Sequence, residues 1–349
     1  MKKILLLNNG YPSITQPNYV TYIQTIKECL QAAGFHVDLL VLDSNFSSTV
    51  GKYVQFFKYY LKAFFFKGYS GYDYVYINNY PYSFLPLVFH FRKMRKVIIH
   101  WHGDDIFPGS FLSKILNKLS YVFIKKNFIH IAPSKYFSRE TAKVLGISSE
   151  QVVVSPSGGI DIALFINEGV IRKPKLIRLG FASGLLRSKG MELVMEIIKD
   201  TNAIESALGV NIEFHYICYG KEKEYFNNQI RLIPNTVKHR PYPIKKMQTF
   251  YNAIDVLLFP TLRKAESLGL VVLEAMACGK PVVATDGFAV KETVIDGVTG
   301  EKFKINDVNG FRKALIKCIS NLDTYDPRSF VVENYSKQVV ANGYAKLLQ

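Results

Sequence analysis

Short apolar runs alternate with helical stretches in this chain, and the alternation starts twice, once at the first residues and again near residue 176. KKILLLNN (2–9) reads as a buried strand, YVTYIQTIKECLQAAG as a helix ending at Gly34, and HVDLLVLD (36–43) as the next strand. YDYVYINN (72–79), KVIIHWHG (96–103) and FIHIAPS (128–134) continue the series. The polar, basic stretch NEGVIRKPKL (167–176) breaks it and reads as a linker. LIRLGFAS, GMELVMEIIKDT, NIEFHYICYG, IDVLLFPT and KPVVATD then repeat the rhythm. Strand, helix and strand joined by short Gly or Asn turns are the signature of a parallel α/β sheet. A chain of 349 residues is long for one core. The expected architecture is therefore two doubly wound α/β halves, residues 1–170 and 171–331, facing a central cleft, with ligands at the carboxyl ends of the strands.

Composition narrows the class. Lys and Arg outnumber Asp and Glu by 44 to 28, a net charge of +16, and residues 1–175 hold 21 basic against 10 acidic residues. Such a half implies an anionic partner: nucleic acid, a lipid surface or an acidic substrate. No nucleic-acid motif accompanies the charge, so a basic nucleic-acid-binding protein is the distant reading. MKKILLLNNGY is too short in apolar residues for a signal-peptide core, and no run is long enough to span a membrane. The cysteines Cys29, Cys218, Cys278 and Cys318 lack CxxC spacing and read as reduced thiols of a cytoplasmic protein.

Two basic segments carry apolar stripes. GKYVQFFKYYLKAFFFKG (51–68) has more aromatics than one buried face can use, with Lys52, Lys58, Lys62 and Lys67 between them. It reads as an interfacial helix on an anionic membrane surface. In FLSKILNKLSYVFIKKN (111–127), the stripe Leu112, Ile115, Leu116, Leu119 and Phe123 reads instead as packing on the sheet, with solvated lysines.

The chemistry concentrates in ESLGLVVLEAMACGKPVVAT (266–285), where Glu266 and Glu274 bracket an apolar run. Buried carboxylates are costly unless paired or used. A helix from Leu270 to Cys278, capped by Gly279, leaves free amides near Gly269, an anion site at its N-terminus. Two carboxylates beside a phosphate site suit a sugar nucleotide. HWHGDDIF (100–107) superficially resembles a metal cluster, but the spacing fixes no third ligand.

The segment resembles the E-x7-E motif of the retaining, GT-B-fold glycosyltransferases of family 4, nearly position by position. That resemblance implies that Glu266 lies by the donor sugar and that Glu274 holds the ribose hydroxyls. It implies that the backbone around Ser267, Leu268, Gly269 and Leu270 meets phosphate or sugar. GFASGLLRSKGMELVMEI (180–197) resembles the turn whose Arg and Lys neutralise the diphosphate. Lys189-Gly190 fits; the usual Arg falls at Gly184, and Arg187 is the nearest substitute. VVVSPSGGIDIALF (152–165) resembles the exit from the first domain, with Gly159 and Asp161 shaping the turn. The C-terminal helix 332–349 resembles the one that crosses back to that domain. The family places a His-Gly facing the donor sugar, here His102-Gly103. Its glycine pair after the first strand is replaced by Pro17-Asn18, leaving Gly10 and Asn18 to approach phosphate or acceptor.

The expectation is a cytoplasmic, retaining hexosyltransferase, peripherally bound to the inner membrane face. It would move a sugar from a nucleotide diphosphate donor, UDP-sugar before GDP-sugar, to a hydroxyl of a glycan or lipid-linked glycan, in cell-surface polysaccharide synthesis. No Asp-x-Asp marks a metal, so no metal cofactor is expected. A nucleotide-sugar epimerase or sugar phosphorylase on the same fold is the alternative.

Overall fold

The computed structural model describes residues 1–14, 16, 19–46, 48–169 and 173–349. They form two compact units, Met1–Gly159 with Lys337–Gln349, and Ile160–Ser336.

In the first unit the elements are β1 (Lys3–Asn8), α1 (Tyr22–Ala32), β2 (His36–Val41), α2 (Thr49–Phe65), β3 (Tyr74–Asn78), α3 (Tyr80–Leu87), β4 (Val97–His100), α4 (Phe111–Val122), β5 (Ile129–Ala132), α5 (Lys135–Leu145) and β6 (Val152–Val154). Among the described residues the strands make one parallel six-stranded sheet in the order β2-β1-β3-β4-β5-β6. β3 and β4 are buried along their whole length, as strands covered on both faces must be. Ser48, Ser110 and Ser134 begin α2, α4 and α5, each hydroxyl accepting from the amide three residues on, as helix starts require.

The second unit contains β7 (Leu176–Phe181), α6 (Met191–Lys199), α7 (Asn202–Leu208), β8 (Asn211–Ile217), α8 (Lys223–Ile230), β9 (Thr236–His239), α9 (Met247–Asn252), β10 (Val256–Phe259), α10 (Leu270–Ala277), β11 (Val282–Thr285), β12 (Gly300–Phe303), α11 (Val308–Ser320) and α12 (Pro327–Tyr335). Its parallel sheet runs β12-β11-β10-β7-β8-β9. The last helix, α13 (Lys337–Leu348), belongs to the first unit and packs on α1. There the Tyr344 and Tyr76 hydroxyls lie 2.9 Å apart, and Tyr76 reaches Nδ1 of His100 at 2.8 Å.

The chain leaves the first unit at Gly159, before the basic stretch that reads as a linker. Residues 160–168 are already bound to the second unit. Ile160 N donates to the Tyr335 carbonyl at 2.7 Å, Phe165 is buried against Tyr251, and Asn252 Nδ2 donates to the Ile166 carbonyl at 2.9 Å. Val170, Ile171 and Arg172, inside that stretch, lie outside the described residues, as do Pro17 and Asn18.

One sequence expectation is overturned. The stripe of 111–127 does not pack on the sheet: Leu112, Ile115, Leu119 and Phe123 are exposed, while Ser113, Asn117 and Ser120 face inward. No helix among the described residues is long and apolar enough to cross a membrane.

Candidate functional site

In the second unit, two loops at the carboxyl ends of neighbouring strands meet. β7 runs into a turn that ends at Gly190, and β10 runs into the loop 260–269 that starts α10. Gly190 has φ +77°, and a Cβ there would lie 1.8 Å from the Pro260 carbonyl oxygen, so only glycine allows the loops to touch. Leu262 N donates to the Ser188 carbonyl at 2.9 Å and locks the contact.

That contact brings Lys189 and Glu266 together, 77 residues apart in sequence, as a short ion pair with side chains only 17% and 13% exposed. The ammonium also stands 5.7 Å from the centre of the Phe259 ring. A largely desolvated pair interacts more strongly than a surface one, and each charge is held at a defined position.

Glu274 lies on α10 and is buried. Its Oε2 accepts a 2.6 Å hydrogen bond from the Tyr251 hydroxyl. Burial pushes its carboxyl up to about 7, with the Tyr251 bond pulling the other way. Tyr219 reports both glutamates. Burial first, then the charges of Glu274 and Glu266, push its phenol up to about 12. Its hydroxyl donates to the Ala182 carbonyl at 3.2 Å, and its ring lies 3.4 Å from where a Cβ on Gly184 would stand.

Gly269 begins α10 in the left-handed region, at φ +79°. Among the described residues, the amides of Gly269, Leu270 and Val271 donate to no protein acceptor. Leu268 is buried in the core with Val272 and Leu273, so only its backbone is available to a ligand. Ser267 is half-buried beside it.

Arg187 is placed differently. Its guanidinium meets Glu222 at 3.0 Å and Glu192 at 3.2 Å and lies over the Tyr225 ring, with its side chain 59% exposed. It clasps the surface rather than joining Lys189 and Glu266.

In the first unit, His102 is drawn inward. Its Nε2 is 3.0 Å from Asn78 Oδ1, the backbone amide of Asp105 donates to its carbonyl oxygen at 2.9 Å, and its ring lies 4.6 Å from that of Tyr22. Burial pulls its pKa down to about 3, so the ring is neutral, with Nε2 carrying the proton. His100 is buried behind it at a ring distance of 4.2 Å. Gly10 lies against Tyr19, whose ring would be 2.6 Å from a Cβ, and its carbonyl accepts from Asn8 Nδ2. Among the described residues no group of three or more His, Cys, Asp and Glu side chains could hold a metal ion.

Tyr251 and Tyr219 escaped sequence reasoning. Tyr251 opens the stretch YNAIDVLLFPT that precedes the first glutamate, and that position is its only sequence signal.

Residues 177–321 match the family described as Glycosyl transferases group 1. The second unit carries that domain. Across 305 residues, the chain is 24% identical to an uncharacterized glycosyltransferase of Sulfolobus islandicus rod-shaped virus 1, covering 79% of this chain and 86% of the viral protein. A more local match, 27% over 145 residues, is to an uncharacterized glycosyltransferase of Methanocaldococcus jannaschii. It covers 40% of this chain and 38% of that protein. Sucrose-phosphate synthase from Thermosynechococcus elongatus shares the fold with a TM-score of 0.76 at 18% identity, over 99% of this chain and 98% of its own. Anabaena HepE, solved with UDP and glucose, does so at 0.69 and 18%, over 100% and 99%. The fold is therefore GT-B, two Rossmann-like domains.

Proposed function

We propose that the protein is a retaining glycosyltransferase that takes a sugar from a nucleotide diphosphate donor, UDP-sugar in preference to GDP-sugar. The Lys189–Glu266 pair at the head of α10 carries this reading, because it sets a cation, a carboxylate and the amides of 269–271 side by side. The buried Glu274 is suited to accept hydrogen bonds from the vicinal hydroxyls of ribose. The match of residues 177–321 to a glycosyltransferase family and the UDP seen in the Anabaena neighbour support the same class of donor.

In this reading the C–O bond between sugar and diphosphate breaks through an oxocarbenium-like transition state, and negative charge grows on the departing phosphate. Lys189 and the α10 amides stabilise that charge where it develops, without a metal ion. Glu266, ion-paired with Lys189 at rest, faces the sugar once the ammonium turns to phosphate. The acceptor hydroxyl adds to the anomeric carbon on the face the phosphate leaves, and its proton passes to the departing phosphate.

The acceptor in this reading is a glycan or lipid-linked glycan of a cell-surface polysaccharide, met at the cytoplasmic face of a membrane. Thermal unfolding with a panel of nucleotide sugars tests the donor class. UDP-sugars should raise the midpoint most, and a panel that leaves it unmoved would sink the proposal.

A further inference from the structure

Surface helices ordinarily turn their apolar side inward, and α4 turns it out. Phe111, Leu112, Ile115, Leu119 and Val122 are exposed, Phe111 by 80% and Val122 by 78%. The inward side is fixed by hydrogen bonds. Asn117 Nδ2 donates to the carbonyls of Asp104 and Asp105 at 3.1 and 2.7 Å, and the Tyr121 hydroxyl reaches the Asp105 carbonyl at 2.5 Å. Rolling the helix to bury its leucines would strand those buried carbonyls, so the apolar face is held outward.

α2 does the same. Val50, Tyr53, Val54, Phe57, Leu61 and Phe65 are exposed at helical spacing, with Tyr59 and Ala63 inside. α3 packs against both α2 and α4, and the Phe64 and Phe89 rings meet edge to face at 5.7 Å. Between the turn after α3 and the end of α4 lies a cavity of about 430 Å³, lined by Phe89, Phe91, Val122 and Phe123, with Arg92 and Lys125 beside them.

Positive charge dominates around this apolar surface, with Asp104 on the turn before α4 the exposed acidic residue beside it. Residues 44–72, 74–103 and 106–139 contain no Asp or Glu. Lys52, Lys58, Lys62, Lys114 and Lys118 are exposed on α2 and α4. A predominantly cationic rim around an apolar centre fits an anionic lipid surface.

We propose that α2, α3 and α4 form one docking platform for an anionic lipid bilayer, in which the outward apolar side chains enter the interface and Arg92 and Lys125 hold a lipid phosphate above the cavity. It deepens the peripheral-membrane part of the proposed function by making the face three helices wide.

Co-sedimentation of the full chain with vesicles of phosphatidylcholine, with or without phosphatidylglycerol, tests it. Wild type should bind only the vesicles containing phosphatidylglycerol. L112S/I115S/L119S on α4 and V54S/F57S/L61S on α2 should each lower that affinity about tenfold or more. R92E/K125E should weaken the preference for phosphatidylglycerol. All of these positions are exposed or at the cavity rim, so the variants should keep the wild-type unfolding midpoint. An α4 variant that binds like wild type would overturn the platform and leave α2 acting alone. Equal binding to both vesicle types would overturn it as well, as would a wild-type dimer dispersed by the same substitutions. UDP titration of the same proteins keeps the readings apart: vesicle binding without UDP binding supports the platform and counts against the transferase.

Discussion

The hydroxyl of Tyr251 donates a 2.6 Å hydrogen bond to Glu274 Oε2, and among the described residues no basic side chain pairs with that carboxylate. Burial therefore decides its protonation and pushes the carboxyl from 4.5 to about 7. The folded state then holds a proton the unfolded state has released. Its contribution is fully present below the unfolded pKa and is lost as pH rises to about 7. A shift of this size is worth about 3 kcal/mol. Glu274→Gln keeps an acceptor for Tyr251 and cannot ionise. Urea unfolding at pH 5 and pH 8 should show wild type losing about 2.5 kcal/mol relative to the variant. Parallel pH profiles for the two proteins would contradict the assignment.

Lys189 and Glu266 act where charge develops. Lys189→Ala and Glu266→Ala should stay folded yet lose about 100-fold or more in turnover, since their interactions strengthen in the transition state. Rates with UDP-sugar and acceptor, beside circular dichroism, separate the two effects. Unchanged rates would remove the pair from the mechanism.

Metal removal addresses the same step. Turnover should persist in EDTA, because Lys189 and the amides of 269–271 carry the positive potential. Loss in EDTA with rescue by Mn²⁺ would revive the metal reading of HWHGDD.

Gly190 holds the two loops in contact. Gly190→Ala places a methyl 1.8 Å from the Pro260 carbonyl oxygen at a φ of +77°, and neither loop can yield without parting Lys189 from Glu266. The expected cost is about 3 kcal/mol or more in denaturant unfolding. A loss below about 1 kcal/mol would show that the turn adapts.

The central strands were legible because a strand buried on both faces reads as a continuous apolar run, as in VLLF at β10. β9 and β12 went unread. TVKH and GEKF are short edge strands with polar residues, and their pairing is set by neighbours rather than by their own pattern. Glu266, Glu274 and Lys189 stood out as charges in apolar or glycine-bounded sequence. The Lys189–Glu266 contact did not, since only the packing of Gly190 on Pro260 brings the two loops together. The orientation of α4 was misread because its stripe has ordinary amphipathic spacing. Hydrogen bonds from Asn117 to the turn before the helix decide which side faces in.

Calorimetric titration of UDP into wild type and Glu274→Ala, followed by GDP where UDP does not bind, reaches the central claim most directly. Wild type should bind, and the variant should bind more weakly by about 1.5–3 kcal/mol, the loss expected for charged hydrogen bonds to the ribose. Equal affinity in the two proteins, or no binding of either nucleotide to wild type, would contradict it.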